Sequence, residues 1–311
     1  MRQPLSPTAS TWERARWYAG VWYWAARPFT LTASIVPILV GSALAFQEDR
    51  AVVHLFVLAL IASVLVQIGT NLTDEFSDDA IPEARGQKLI APYKVIALGL
   101  LSNRTVKLGA VLSFALATGI GLYIVAVAGW PILVIALASL FVAYLYAGGP
   151  KPLGTVGLGN PLVFVFMGPV MVMGAYYVHV REITMDAFLV SVPVACLVTA
   201  ILVANDLRDL EEDRVAGKTT PVTLFGRPFG RLLFTALVVG AFVAAPLLAT
   251  VGGLGLWLLL SGVALYPAYG SLRKIWGEES RPSFAVAMRN SARLHWWFGV
   301  TFAAGLVLGR L

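Results

Sequence analysis

Nine apolar stretches separated by short polar connections organise this chain: roughly residues 28–46, 52–73, 105–127, 130–147, 160–179, 187–205, 231–250, 253–270 and 294–310. A hydrocarbon core about 30 Å thick takes around twenty helical residues to cross, so each stretch predicts one transmembrane helix. The pattern predicts an all-α integral membrane bundle of about nine helices, with residues 27–311 as a single domain. Residues 1–26 read as an interfacial segment. Trp12, Trp17, Tyr18, Trp22, Tyr23 and Trp24 suit the headgroup layer, and the stretch is too long and too aromatic for a cleaved signal peptide.

Composition points the same way. Of the 311 residues, 58% are hydrophobic and 13% charged, outside the range of a water-soluble domain, so a lipid bilayer is the expected partner. A lone cysteine, Cys196, rules out a disulfide framework and a cysteine-rich zinc site. The net charge of +6 is spread over several loops without a basic tail or patch, so nucleic acid is not an expected partner. If nine helices alternate across the bilayer, every Lys and Arg except Arg50, Arg181 and Arg310 falls on the side of the N-terminus. By the positive-inside rule that side is cytoplasmic, and removing one central helix from the count would scramble the asymmetry. The expected location is the cell membrane, multi-pass.

The acidic residues are more concentrated still. Ten of the seventeen lie in two clusters, Asp74, Glu75, Asp78, Asp79 and Glu83 after the second run, and Asp206, Asp209, Glu211, Glu212 and Asp213 after the sixth. Each is led by an asparagine, in NLTDEFSDD from Asn71 and NDLRDLEED from Asn205. If the helices continue, Asn71, Glu75 and Asp79 share one face, as do Asn205, Asp209 and Asp213, and Asp74 and Asp78 form a further i, i+4 pair. Like charges so stacked at a membrane edge repel, and call for a cation. Carboxylate and amide oxygens are hard ligands suited to Mg²⁺, whose coordination is usually completed by water and substrate phosphates. Two clusters of this kind predict a metal-bridged diphosphate site. A secondary transporter, which would carry its acids near the bilayer midplane, is the alternative of another class; the near absence of ionisable residues in the central turns argues against it.

At these residues the sequence resembles the intramembrane aromatic prenyltransferases of the UbiA superfamily, and within it the branch that prenylates 1,4-dihydroxy-2-naphthoate in menaquinone synthesis. The resemblance rests on NDLRDLEEDRVAGKTTPVTLFGR from Asn205, on YAGGPKPLGTVGLGNPLVFVFMGPVMVMGAYYV from Tyr146, and on helix placement from about Arg27 onward. It implies transfer of a prenyl chain from a polyprenyl diphosphate to an aromatic acceptor with Mg²⁺ as cofactor, at the cytoplasmic face. It also implies that Asp206, Asp209 and Asp213 bind metal and diphosphate with help from Asn205. The first motif departs from the family's Asn-Asp-x-x-Asp pattern: Asp74 and Glu75 replace Asn and Asp ahead of Asp78. Asn160 stands where the branch often has an acid. Other superfamily acceptors, 4-hydroxybenzoate, homogentisate, a haem or a glycerol phosphate lipid, remain alternatives, as does a noncatalytic member of the fold.

The expected metal ligands are therefore Asp74, Glu75, Asp78, Asp206, Asp209 and Asp213, of which Asp74, Asp78, Asp209 and Asp213 carry catalysis. Asn71, Asn205, Arg85, Lys88, Lys94, Lys151, Arg208 and Lys218 are the expected diphosphate contacts, with Lys151 favoured because Gly148-Gly149-Pro150 lets the chain turn back. Phe164, Phe166, Met167, Met171 and Met173 are candidates to line a channel for the prenyl chain, and Tyr144, Tyr146 and Tyr176 to shield an allylic cation. His54, His179 and His295 show no ligand spacing and fall near the ends of the runs, which reads as interfacial.

Overall fold

The computed structural model describes residues 10–79, 94–147, 152–277 and 279–310. Within them the chain is helical, and the isolated bridge between Val156 and Thr219 is the extended pairing it records. Helix α1 covers Thr11–Ala25, α2 Thr32–Gln47, α3 Val53–Asp79, α4 Asn103–Ala128 and α5 Trp130–Ala147. Helix α6 covers Gly159–Val165 and continues through a π turn, Phe166–Val170, into α7, Met171–Val180. Helix α8 is Met185–Val215, α9 Pro221–Thr250, α10 Leu265–Trp276 and α11 Arg281–Leu308. Every predicted apolar run lies largely within helical structure. Val53–Phe76, Asn103–Ala128, Gly159–Val180, Met185–Val215 and Pro221–Thr250 are each long and apolar enough to cross a membrane, so the chain is a multi-pass membrane protein.

Three details differ from the sequence reading. The fifth run is broken by the π turn at Phe166–Val170, where Pro169 lacks the N–H that a regular ladder needs. The eighth begins as a 3-10 helix over Leu256–Ala264 before α10. The last run is only the second half of α11, whose polar first half starts behind the Ser280 cap with Pro282 in its first turn. His295 therefore sits mid-helix and fully buried, not near an end. His179 is buried too, accepting from the Val52 backbone N–H at 3.1 Å and paired with the Ser42 hydroxyl at 3.0 Å.

Helix packing divides the chain into two compact units, one of Met1–Leu31 with Ile61–Gly121, the other of Thr32–Leu60 with Leu122–Leu311. In the first, α1 is fastened by a capping box: Ser10 Oγ accepts from the Glu13 N–H while the Glu13 carboxylate accepts from the Ser10 N–H at 2.8 Å. Val21 and Ala25 face inward with Trp17 and Trp22 against Leu72, Val95, Leu101, Val106 and Ala110, leaving Trp12, Tyr18 and Tyr23 exposed. The aromatic N-terminal segment is thus split into a packed and an outward face. Gly109 admits the Trp22 ring, since a Cβ there would lie 2.8 Å from it.

In the second unit α8 is the central element, packed on α9 and α11, while α2 lies against α7 and α11. Small residues permit the close approach that dispersion-driven packing in lipid requires. A Cβ on Gly299 of α11 would come within 2.2 Å of Val36 on α2.

Candidate active site

Helix α8 carries the second acidic motif, and the helix runs through it to Val215 as the spacing requires. Leu, Arg and Glu in 207–214 favour helix, but five acids in the last turns oppose the negative end of the helix dipole and one another. Cations brought from elsewhere offset this. The helix ends in a Schellman motif: Gly217, at φ 66, donates to the Arg214 carbonyl at 3.1 Å, and Lys218 N–H to the Asp213 carbonyl at 2.8 Å. The turn folds Lys218 back over the acidic face, where its Nζ lies 3.0 Å from Asp213 and 3.9 Å from Asp206. Thr219 N–H donates to the Thr155 carbonyl at 2.7 Å, tying this turn to the segment that leads into α6. Thr220 then caps α9.

Asp206 is buried and accepts a 3.0 Å hydrogen bond from the Asn160 side-chain amide at the start of α6. Asp209 pairs with Arg208 and, at 3.4 Å, with Arg281 at the start of α11. Arg208 also donates to Asn205 Oδ1 at 2.7 Å and to Met288 Sδ at 3.2 Å, and Arg281 pairs with Glu212. Asn205, Asp206, Arg208, Asp209, Asp213 and Lys218, all expected from sequence, thus fall into two polar clusters on one helix end, Asn205–Arg208–Asp209 and Asp206–Lys218–Asp213. Arg281 joins the first cluster and Asn160 the second. Sequence offered little for Arg281, which resembled any cytoplasmic charge, although Asn160 stood out as a departure from an acidic position.

The first motif is built differently. Helix α3 continues to Asp79, so its acids do share a helix. Glu75, 2% exposed, accepts from the Ile96 N–H at 3.1 Å and lies 3.6 Å from Arg27 and 3.5 Å from Lys94. Arg27 also reaches Asp74 at 3.3 Å. The Asn71 amide donates to the Ala26 carbonyl and the Thr30 hydroxyl, both at 2.8 Å. Asn71, Asp74, Glu75 and Lys94 are brought together, with Arg27 as the member that sequence reading had counted only as a topological charge. Asp78 lies in the last turn of α3; Arg85, Lys88 and Lys151 lie outside the described residues.

Tyr176 turns its hydroxyl to Glu48 at 2.7 Å, sixteen positions along the helix from Asn160 and hence about 24 Å away at 1.5 Å per residue. That distance removes it from cation shielding at the α8 acids. Phe164, Phe166, Met167, Met171 and Met173 are half-buried, and Tyr144 is exposed.

The second motif fits a divalent cation on one observation: a single ammonium, Lys218, is already held between the Asp206 and Asp213 carboxylates. Among the described residues no three His, Cys, Asp or Glu side chains converge as a complete cage. Mg²⁺ asks for less, one or two carboxylates with water and phosphate oxygens completing the octahedron.

A model of the UbiA prenyltransferase family matches residues 34–298. The chain is 29% identical to the 1,4-dihydroxy-2-naphthoate octaprenyltransferase of Bacillus subtilis over 91% of its own length and 90% of the relative's. It is 32% identical to the protein of the same description from Mycobacterium tuberculosis, over 76% of this chain and 79% of that one. Among solved structures, a UbiA homolog from Archaeoglobus fulgidus bound to DMAPP and Mg²⁺ shares the fold, with a TM-score of 0.57 at 14% identity over 90% of this chain and 98% of the other.

Proposed function

Because the chain belongs to the UbiA prenyltransferase family, we infer that it transfers a prenyl chain from a polyprenyl diphosphate to 1,4-dihydroxy-2-naphthoate, giving demethylmenaquinone, at the cytoplasmic face of the cell membrane. The observation that carries the reading is the α8 face, where Asp206, Asp209 and Asp213 are neutralised by Lys218, Arg208 and Arg281. Such a face presents carboxylates to a metal and cations to phosphate oxygens. Mg²⁺, when bound, would supply positive charge where the leaving diphosphate gathers its electrons. Asp206, Asp209 and Asp213 would hold it.

The residues of the chain divide the remaining work. Lys218, Arg208 and Arg281 receive the diphosphate and stabilise its charge as the carbon–oxygen bond breaks, the preorganised electrostatics that dominate such reactions. Asn205 fixes the Arg208 fork. The acidic residues are placed at helix ends, so the diphosphate stays in the polar layer while the prenyl chain enters apolar surroundings. The excess of Lys and Arg on the N-terminal side supports the cytoplasmic placement.

The direct test is prenyl transfer in proteoliposomes with labelled polyprenyl diphosphate, Mg²⁺ or EDTA, and either dihydroxynaphthoate or 4-hydroxybenzoate. Mg²⁺-dependent product with dihydroxynaphthoate alone, reduced about 10²–10³-fold in Asp209→Ala, is the expected result. Product with 4-hydroxybenzoate instead would move the acceptor elsewhere in the superfamily.

A further inference from the structure

The Asn160 side chain is 6% exposed, and its two ends differ. Nδ2 donates to Asp206 Oδ2 at 3.0 Å, whereas Oδ1 is buried without a hydrogen-bond partner. The orientation is chemically determined, because the flipped amide would set its oxygen against a carboxylate oxygen. A buried amide oxygen left unpaired is costly and uncommon, and here it lies in direct contact with the acidic network. It calls for a hydrogen-bond donor from outside the protein.

Asp206 tells which donor. Its Oδ1 faces Lys218 and its Oδ2 faces Asn160, so the two partners lie on different sides of one carboxylate. With metal and diphosphate on the side of the cation, the Asn160 oxygen is left to a hydrogen-bond donor on the other side of the carboxylate. An aromatic side chain borders the start of α6, next to Asn160 in sequence. Tyr146 lies with its ring against Gly154, where a Cβ would come 3.1 Å from it, and its hydroxyl beside Gly159, 3.6 Å from a Cβ there. We propose that Asn160 Oδ1 accepts the hydrogen bond of a phenolic hydroxyl on the aromatic acceptor, making Asn160 a specificity-determining residue that recognises the acceptor while its amide nitrogen holds Asp206.

This assignment rests on the prenyl-transfer reading and is tested separately from it. Equilibrium binding to the detergent-solubilised full chain would compare 1,4-dihydroxy-2-naphthoate with its two mono-O-methyl ethers, in wild type, Asn160→Leu and Asn160→Asp. Methylation removes the donor. Wild type should bind at least one ether about tenfold more weakly than the diol, the worth of one hydrogen bond in a buried site. Asn160→Leu, of similar volume, should bind diol and ethers alike. Asn160→Asp keeps an acceptor oxygen but loses the amide donor to Asp206: it should retain the preference for the diol while the KM for prenyl diphosphate rises. That variant decides the matter if Asn160→Leu does not fold. Undiminished discrimination in Asn160→Leu, or its loss in Asn160→Asp, would overturn the assignment while wild-type prenyl transfer stands. Absence of transfer to dihydroxynaphthoate by wild type would instead overturn the functional reading, and this proposal with it.

Discussion

The two acidic motifs share a leading asparagine and the same spacing, yet they use these residues in different ways. In the first, Asn71 ties α3 to the Ala26–Thr30 turn, and Glu75 is enclosed by Arg27, Lys94 and the Ile96 N–H. In the second, Asn205 serves an arginine, and three aspartates along α8 meet Lys218, Arg208 and Arg281. The first motif spends two polar residues on holding its own unit together. The second keeps its carboxylates for cations, and its counter-charges come from side chains with some access to water. Equal spacing in sequence therefore does not mean equal surroundings: the lengthened Glu75 is buried among cations of its own unit, whereas the α8 carboxylates meet partly exposed ones.

The largest effect expected from this contrast is at Glu75. Glu75→Gln removes the counter-ion that Arg27 and Lys94 share, with Asp74 still 3.3 Å from Arg27, and should cost about 3 kcal/mol of stability. Denaturant or thermal unfolding in detergent would measure it; a loss near zero would mean that the cluster is solvated and the contrast false. Gly217→Ala should be intermediate. Gly217 has φ 66 and open space around it, so only the backbone preference is lost, about 1 kcal/mol, with a rise in prenyl diphosphate KM as Lys218 is displaced. The smallest effect is expected at Glu211, itself exposed and paired with Arg214 at 3.5 Å and Arg227 at 3.2 Å. Glu211→Gln should change stability by less than about 0.5 kcal/mol and leave acceptor binding unaltered.

Much of this was legible beforehand because it is local. Apolar runs located the helices, and the i, i+4 spacing of Asn205, Asp209 and Asp213 anticipated a helix continuing past the membrane edge. The Gly217 stop and the Ser280 cap are also local signals, and the latter, together with Pro282, would have extended α11 back from 294. What escaped is long-range. Arg27 meets Asp74 across 47 positions, Asn160 meets Asp206 across 46 and Arg281 meets Asp209 across 72. No periodicity encodes such pairings, and a basic residue that completes a site looks the same in sequence as one that only sets topology. Glu75 shows the same limit: its spacing is that of a ligand, while its burial depends on Arg27 and Lys94 arriving from other segments.

The most direct test is Mg²⁺-dependent binding of labelled polyprenyl diphosphate to wild type, Asp213→Asn and Glu75→Gln, each confirmed folded at the temperature used. The account predicts that Asp213→Asn raises the Mg²⁺ midpoint about tenfold or more, whereas Glu75→Gln lowers thermal stability with the midpoint within about twofold of wild type, a tenfold change corresponding to 1.4 kcal/mol. An unchanged midpoint in Asp213→Asn, or an equal shift in both variants, would contradict it.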